Sequence, residues 1–267
     1  MAKPKGQQQL SIIVPAYKQE KTIKKDLQRI EDVLKQIRYD YEIICVIDGR
    51  IDKTFENAKK VRSRKIKVVG YDENKGKGHA VRYGMVRTKG DPVAFIDAGM
   101  DLDPNGLSML LEHFEWYNAD IIVGSKRHPV SKVSYPWQRR ILSIGYQILV
   151  KLLFGLNVRD TQTGMKFFRR KVLKDVLPRL LVKKHAFDVE LLSVANRLGY
   201  NRIFEAPIEI DPKKFKFSST IGRKVIRDML VDTLAVFYRL KILRYYDDHN
   251  KRKWKHDPDL NFKVNIG

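Results

Sequence analysis

Leu10-Ser11-Ile12-Ile13-Val14-Pro15-Ala16-Tyr17, then Glu42-Ile43-Ile44-Cys45-Val46-Ile47-Asp48-Gly49, then Phe95-Ile96-Asp97-Ala98-Gly99-Met100-Asp101-Leu102-Asp103 are the stretches on which the fold turns. The first two are short runs of apolar, largely β-branched residues that stop at Pro or Asp, and the third carries the end of an apolar run into an acidic stretch, as strands leading into loops do. Between the first two lies Thr22 to Ile37, where Ile23, Leu27, Ile30, Leu34 and Ile37 recur at steps of four and three, one face of a helix. A second helix near Lys53 to Ser63 leads to a strand at Ile66 to Tyr71. Strand, helix, strand, helix, strand implies a mostly parallel α/β sheet. Further strands read at Pro92 to Ile96 and Asp120 to Gly124, with a helix from about Gly106 to Tyr117 between them. Past Arg127 long helices alternate with strands near Met165 to Phe168 and Arg202 to Ile210, an addition to the sheet domain, not a second core.

The 267 residues, 43% of them apolar, suffice for one large domain and exclude disorder. The net charge of +22 has three ordinary causes: nucleic acid, an anionic membrane surface or a phosphorylated substrate. The single cysteine, Cys45, excludes a disulfide framework and reads as a small buried hydrophobe. No stretch reaches the roughly 18 apolar residues of a spanning helix, and Met1 to Leu10 is polar. The expectation is a cytoplasmic protein, peripheral on the inner face of the membrane.

Two helices carry that expectation. From about Arg139 to Phe154 the polar positions Arg140, Ser143, Gln147 and Lys151 form a narrow stripe and the remainder is apolar, which fits either a helix sunk in the core or one partly immersed in a bilayer surface. From about Gly222 to Tyr246 an apolar stripe runs through Val225, Met229, Leu234, Phe237 and Leu240, and between Lys213 and His256 the net charge is +9. Apolar, aromatic and basic residues together suit an anionic membrane surface.

In an open α/β sheet, ligands bind beyond the carboxyl ends of the strands. Those ends carry Val14-Pro15-Ala16-Tyr17, Asp48-Gly49 and the acidic Asp97 stretch, and Asn74-Lys75-Gly76-Lys77-Gly78 places glycines and lysines before a helix, a loop able to approach a diphosphate. His79 and His185 read as loop residues without metal-binding partners. Together with Val123-Gly124-Ser125-Lys126-Arg127, Arg159-Asp160-Thr161-Gln162-Thr163-Gly164 and Phe187-Asp188-Val189-Glu190, and in this order, these segments resemble family 2 glycosyltransferases of the GT-A (Rossmann-like) fold. Within that family they resemble the polyprenyl-phosphate branch of dolichol-phosphate mannose synthases and dolichyl-phosphate glucosyltransferases. The resemblance covers Ser11 to about Tyr246.

The resemblance implies an inverting transfer of a hexose from a nucleotide-sugar donor, of UDP-glucose or GDP-mannose type, to polyprenyl phosphate, with a divalent metal, Mg²⁺ or Mn²⁺. It places Pro15, Tyr17, Asp48, Lys75 and Lys77 at the nucleotide, and Lys126, Arg127, Arg139 and Ser143 at the acceptor phosphate. It places Asp97, Asp160 and Asp188 at the chemistry. Gly99 stands where the family's metal motif has its second Asp, so Asp97 with Asp101 is left to hold the metal, which needs hard oxygen ligands. Asp103 is read as the cap of the helix opening at Pro104. The Glu73 to Ala80 loop and Phe187 to Leu192 lean toward the glucosyl branch. Residues 1–10 are read as a polar tail, 11–212 as the transferase domain with its interfacial helix at about 139–154, and 213–267 as a basic amphipathic helix and tail. Two rivals are a transferase of the same fold with a soluble or protein acceptor, and a basic nucleic-acid-binding protein; no nucleic-acid recognition motif appears. The sequence leaves the oligomeric state open.

Overall fold

The computed structural model describes residues 9–131, 137–183, 186–210, 223–248 and 253–265, without the side chains of 137–140, 223 and 265. The first half alternates as its periodicity requires: β1 (Gln9–Ala16), α1 (Ile23–Leu34), β2 (Asp40–Asp48), α2 (Thr54–Lys59), β3 (Ile66–Tyr71), α3 (Lys77–Met85), β4 (Val93–Ile96), α4 (Gly106–Trp116) and β5 (Ile121–Ser125). The second half adds α5 (Trp137–Phe154), β6 (Met165–Phe168), α6 (Arg170–Val176), α7 (Phe187–Arg197), β7 (Ile203–Pro207), α8 (Arg223–Phe237) and a hairpin of β8 (Trp254–Asp257) and β9 (Phe262–Asn265). His79 is not in a loop: it is the third residue of α3 and is buried, because Gly76 and Gly78 mark the helix start and do not break it.

Seven strands form one sheet in the order β3-β2-β1-β4-β6-β5-β7. Pairing is parallel except at β6, which runs antiparallel to both β4 and β5. Side chains of a strand alternate between faces, so each strand feeds two cores. Ile13, Ile44, Val46, Phe95 and Val123 face one core with residues of α3, α5, α7 and α8. Ile12, Val14, Ile43, Cys45, Ile47, Ala94 and Ile96 face the other, with α1 and α4. Burial on both faces explains why these strands read as unbroken apolar runs, and it pushes the Cys45 thiol up to about 12.

The chain lays β2 and β3 on one side of β1 and then crosses to place β4 on the other. That reversal makes the carboxyl ends of β1 and β4 the topological switch point, the place where open α/β sheets bind ligands. The Ala98 N–H donates to the Pro15 carbonyl at 3.3 Å across it, which fixes Asp97 beside the end of β1.

α5 and α8 pack together through Tyr146, whose hydroxyl meets the Thr233 hydroxyl at 2.9 Å, and through Phe154 edge-on to Phe237. Each helix buries one face and leaves another apolar face exposed. On α5 Val150 and Phe154 are buried while Ile141, Leu142, Ile148 and Leu152 are exposed; on α8 and the π-helical turn Tyr238–Ile242, Val236 and Leu240 are buried while Val231, Leu234, Tyr238 and Ile242 are exposed. Both helices are therefore partly core and partly unpartnered surface among the described residues. Among those residues no helix is long and apolar enough to cross a membrane.

Candidate active site

The glycine loop is shaped by one carboxylate. Asp48, buried at the end of β2, accepts the N–H groups of Lys75 at 2.8 Å and Gly76 at 3.1 Å, the Asn74 amide at 3.2 Å and the Tyr71 hydroxyl at 2.9 Å. Both of its oxygens are committed to the loop, so Asp48 acts on residues 74–76 directly. The loop releases α3 with its first residue, Lys77, aimed at the switch point: its ammonium lies 2.8 Å from Asp97 Oδ2. Although desolvation opposes it, Asp97 and Asp188 hold that ammonium above its ordinary pKa. Lys75 points elsewhere; its ammonium pairs with Asp259 of the β8–β9 turn. Lys75 precedes α3, and the turn at Gly76, φ +95°, separates its direction from that of Lys77.

Asp97 terminates β4. Its N–H donates to the Gly164 carbonyl at 3.0 Å, and its Oδ1 is buried with no hydrogen-bond partner among the described residues. A side chain at 164 would collide with it: a Cβ there would stand 2.6 Å from Asp97 Cγ. Gly99, in place of a second carboxylate, has φ +91°, a left-handed conformation that favours glycine, and its N–H donates to buried Asp26 at 3.1 Å. Asp101 is exposed, and partial burial and then Asp97 raise its pKa against the pull of Lys126. Asp103 accepts the Asn105 N–H at 2.9 Å and pairs with Arg29 at 3.0 Å, the expected role at the start of α4.

Among the described residues no three His, Cys, Asp or Glu side chains cluster to cage a metal. Magnesium and manganese sites in phosphate chemistry need only one or two carboxylates, the substrate oxygens supplying the rest. The unpartnered Oδ1 of Asp97, with Asp101 near enough to feel its charge, fits that donor set.

Beneath Asp97, Lys166 of β6 is fully buried and donates to Asp188 Oδ1 at 2.7 Å and to the Thr163 carbonyl at 2.6 Å. Burial lowers its pKa, opposed by Asp188. Asp160 accepts the Lys126 N–H at 3.2 Å and the Gln162 N–H at 3.3 Å, with the Lys126 ammonium 4.0 Å away. Arg127 donates to the backbone carbonyls of Ser143, 3.2 Å, and Arg159, 3.4 Å, so it fastens α5 beside Asp160. Ser143 is exposed; Arg139 lies one turn earlier in α5 and its side chain is outside the described residues. Pro15 is buried at the end of β1 and Tyr17 is exposed just beyond it.

The structure thus brings Lys77, Asp97, Asp160, Asp188 and Lys126 to one end of the sheet and sends Lys75 to the outside of α3. Sequence reasoning missed Lys166, Asp26 and Glu190. Lys166 had a legible signal, a lysine inside the apolar run Met165–Phe168, which demands a buried counter-ion. Glu190 accepts the N–H groups of Leu181 and Val182 and the Tyr246 hydroxyl at 2.6 Å, pinning both the segment before α7 and the segment after α8. Its pKa is raised by burial.

The sheet with its switch point, the glycine loop opening a helix and the carboxylate at the end of β4 define an α/β fold of the doubly wound, Rossmann-like class. Residues 11–177 match the family model described as Glycosyl transferase family 2, and the chain belongs to that family of glycosyltransferases. It is 35% identical over 206 residues to a dolichyl-phosphate beta-glucosyltransferase of Drosophila melanogaster, which is 71% of this chain and 63% of that protein. The chain therefore spans under two thirds of the Drosophila relative. A dolichyl-phosphate beta-glucosyltransferase of Trichomonas vaginalis is 33% identical over 256 residues, 89% of this chain and 76% of that one. In fold the chain is similar to glucosyl-3-phosphoglycerate synthase from Mycobacterium tuberculosis in complex with Mn²⁺, uridine diphosphate and phosphoglyceric acid. The TM-score is 0.64 at 18% identity, over 97% of this chain and 86% of that one.

Proposed function

We propose that the chain transfers glucose, with inversion, from UDP-glucose to a polyprenyl phosphate of dolichyl type at the inner face of a membrane. The observation that carries the lipid acceptor is the placement of α5. Its exposed apolar face, Ile141, Leu142, Ile148 and Leu152, lies on the same helix that Arg127 fastens beside Lys126 and Asp160, so a phosphate at that end of the sheet can have its hydrocarbon tail on that face. The glucosyl donor rests on the relatives, dolichyl-phosphate beta-glucosyltransferases in both cases.

In this reading Pro15, Tyr17 and the loop shaped by Asp48 receive the nucleoside, and Lys77 faces the diphosphate. Asp97 Oδ1 and Asp101 would hold Mg²⁺ or Mn²⁺, which when bound would supply Lewis-acid neutralisation of diphosphate charge. A phosphate monoester is already an oxyanion near neutral pH, so the acceptor needs orientation more than a base. Lys126, Arg127, Arg139 and Ser143 provide it, and Asp160 sets the Lys126 backbone. Asp188 pairs with Lys166 beneath the site and adds to the field that holds Lys77 above its ordinary pKa.

A donor and acceptor screen tests the reading. Purified chain is offered UDP-glucose, UDP-galactose or GDP-mannose with polyprenyl phosphate in detergent or with phosphoglyceric acid in buffer. The expected outcome is UDP-glucose with the lipid, and Leu152→Glu with Tyr238→Glu should abolish flotation with anionic vesicles. Transfer to phosphoglyceric acid with none to the lipid would overturn the acceptor, and undiminished flotation of the double variant would overturn the docking face.

A further inference from the structure

The β8–β9 hairpin is built to present one carboxylate to the glycine loop. Its four-residue turn, Pro258 to Asn261, is fixed from within. Asp257 Oδ1 accepts the N–H groups of Asp259 at 2.9 Å and Leu260 at 3.0 Å, and the Asp257 carbonyl accepts the Asn261 N–H at 2.8 Å with Asn261 at φ +56°. Leu260 is buried, and the turn is held from outside by Arg87, which donates to the Asp259 carbonyl at 2.9 Å while its guanidinium lies 3.4 Å over the Tyr83 ring. The residues that hold the turn flank α3: Lys75 stands in the loop before it, Tyr83 within it and Arg87 just past its end. The Asp259 carboxylate closes on Lys75.

We propose that Asp259 is a positioning residue for donor binding. It anchors Lys75 on the outer side of α3, and with Asp48 inside it clamps residues 74–78 so that Lys77 is presented to the diphosphate. Asp48 grips the loop backbone and Asp259 grips its side chain, so the loop is held from both ends of one residue. The Lys75 ammonium, in turn, lowers the pKa of Asp259, and Asp259 raises that of Lys75. A lysine so anchored is withdrawn from the donor side, and the cation that meets the diphosphate is Lys77. The inference rests on the proposed nucleotide-sugar chemistry for its ligand but not for its mechanics.

The experiment therefore reads both. Amide hydrogen exchange of the full chain with Asp259→Asn should rise several-fold at residues 75–78, with β1 and β2 still protected and the melting temperature within about 2 °C. Calorimetry with UDP and Mn²⁺ should show about three- to tenfold weaker binding. In turnover the donor KM should rise by the same factor while kcat and the acceptor KM stay within twofold. Asp259→Glu should restore the parent values. Lys75→Met combined with Asp259→Asn should be no worse than Lys75→Met alone, because the two act through one contact. Asp248→Asn, which breaks the hairpin-side pair with Arg179, is the control and should leave donor KM unchanged. Unaltered exchange at 75–78 would overturn the clamp whatever the ligand. Altered exchange with no UDP binding by the parent chain would instead reject the donor and with it the positioning role. Additive losses in the double variant would show Lys75 touching the donor directly and overturn the assignment.

Discussion

Replacing Gly164 by Ala should disable the site while sparing the fold. Gly164 has no left-handed backbone, so only space forbids a methyl group there. A Cβ would stand 2.6 Å from Asp97 Cγ and 3.2 Å from its Cβ. The carboxyl must therefore retreat by about 1 Å to reach an ordinary contact, a displacement that costs on the order of 10²-fold when it falls on reacting groups. Retreat also breaks the 2.8 Å pair with Lys77. The fold loses little, since overpacking of about 1–3 kcal/mol is partly offset by about 0.4–1 kcal/mol from the stiffer unfolded chain. We expect kcat/KM to fall at least a hundredfold and unfolding free energy to change by under about 2 kcal/mol. The control is Gly145→Ala, where nothing lies within 4 Å and activity should be unchanged. Steady-state kinetics with urea unfolding measure both. A Gly164→Ala protein with kcat/KM within threefold of the parent would refute the placement of Asp97 at the chemistry.

Other substitutions test the groups around it. His79 is buried with neither ring nitrogen partnered among the described residues. Burial first, then Lys75, Arg82 and Lys183, against Asp259, lower its pKa to about 4. The unfolded chain, titrating near 6.5, binds the proton first, so stability falls as pH drops from 6.5 to about 4, by about 2–3 kcal/mol. His79→Phe keeps the edge-on contact with Tyr71 and should remove that slope in urea titrations at pH 7.5 and 5; an identical slope in both proteins would count against it. Asp97→Asn should reduce Mn²⁺-dependent affinity for UDP at least tenfold by calorimetry while changing metal-free UDP binding under threefold, with Asp101→Asn intermediate; equal Mn²⁺ dependence in all three would remove the ligand assignment. Lys166→Met strands a buried Asp188 and should cost about 3–5 kcal/mol, more than half of it recovered by adding Asp188→Leu. A loss under 1 kcal/mol in denaturant unfolding would mean the pair is not desolvated as the structure shows.

The central strands and α1 were legible because parallel strands buried on both faces must be apolar throughout and an amphipathic helix must repeat at 3.6 residues. The position of Asp97 followed, since a chain that leaves a strand end at a switch point faces the ligand-binding end of the sheet. β6 was legible as a strand but not as an antiparallel one, because nothing local in Met165–Phe168 encodes the direction of its neighbours. The opposite aims of Lys75 and Lys77 were not legible, because they depend on the left-handed turn at Gly76 and on Asp259, a partner 184 residues away in the chain. The hairpin is not legible in the sequence: Trp254–Asp257 and Phe262–Asn265 are short and at least half polar, and β9 rests on the distant turn Leu177–Arg179. The sequence alone reads the tail as a cationic membrane element. The structure gives part of it an inward task, with Arg239 3.7 Å from Glu190 and donating to the Tyr246 hydroxyl at 3.0 Å.

The most direct measurement is the identity and anomeric configuration of the product made by the purified chain from UDP-glucose and polyprenyl phosphate. Phosphorus-coupled proton NMR and mass spectrometry of the lipid extract read both. The account predicts a single hexose joined to the lipid phosphate through a β-glycosidic phosphodiester, absent with Asp97→Asn. An α-linked product, or glucose recovered only on a soluble acceptor, would contradict it.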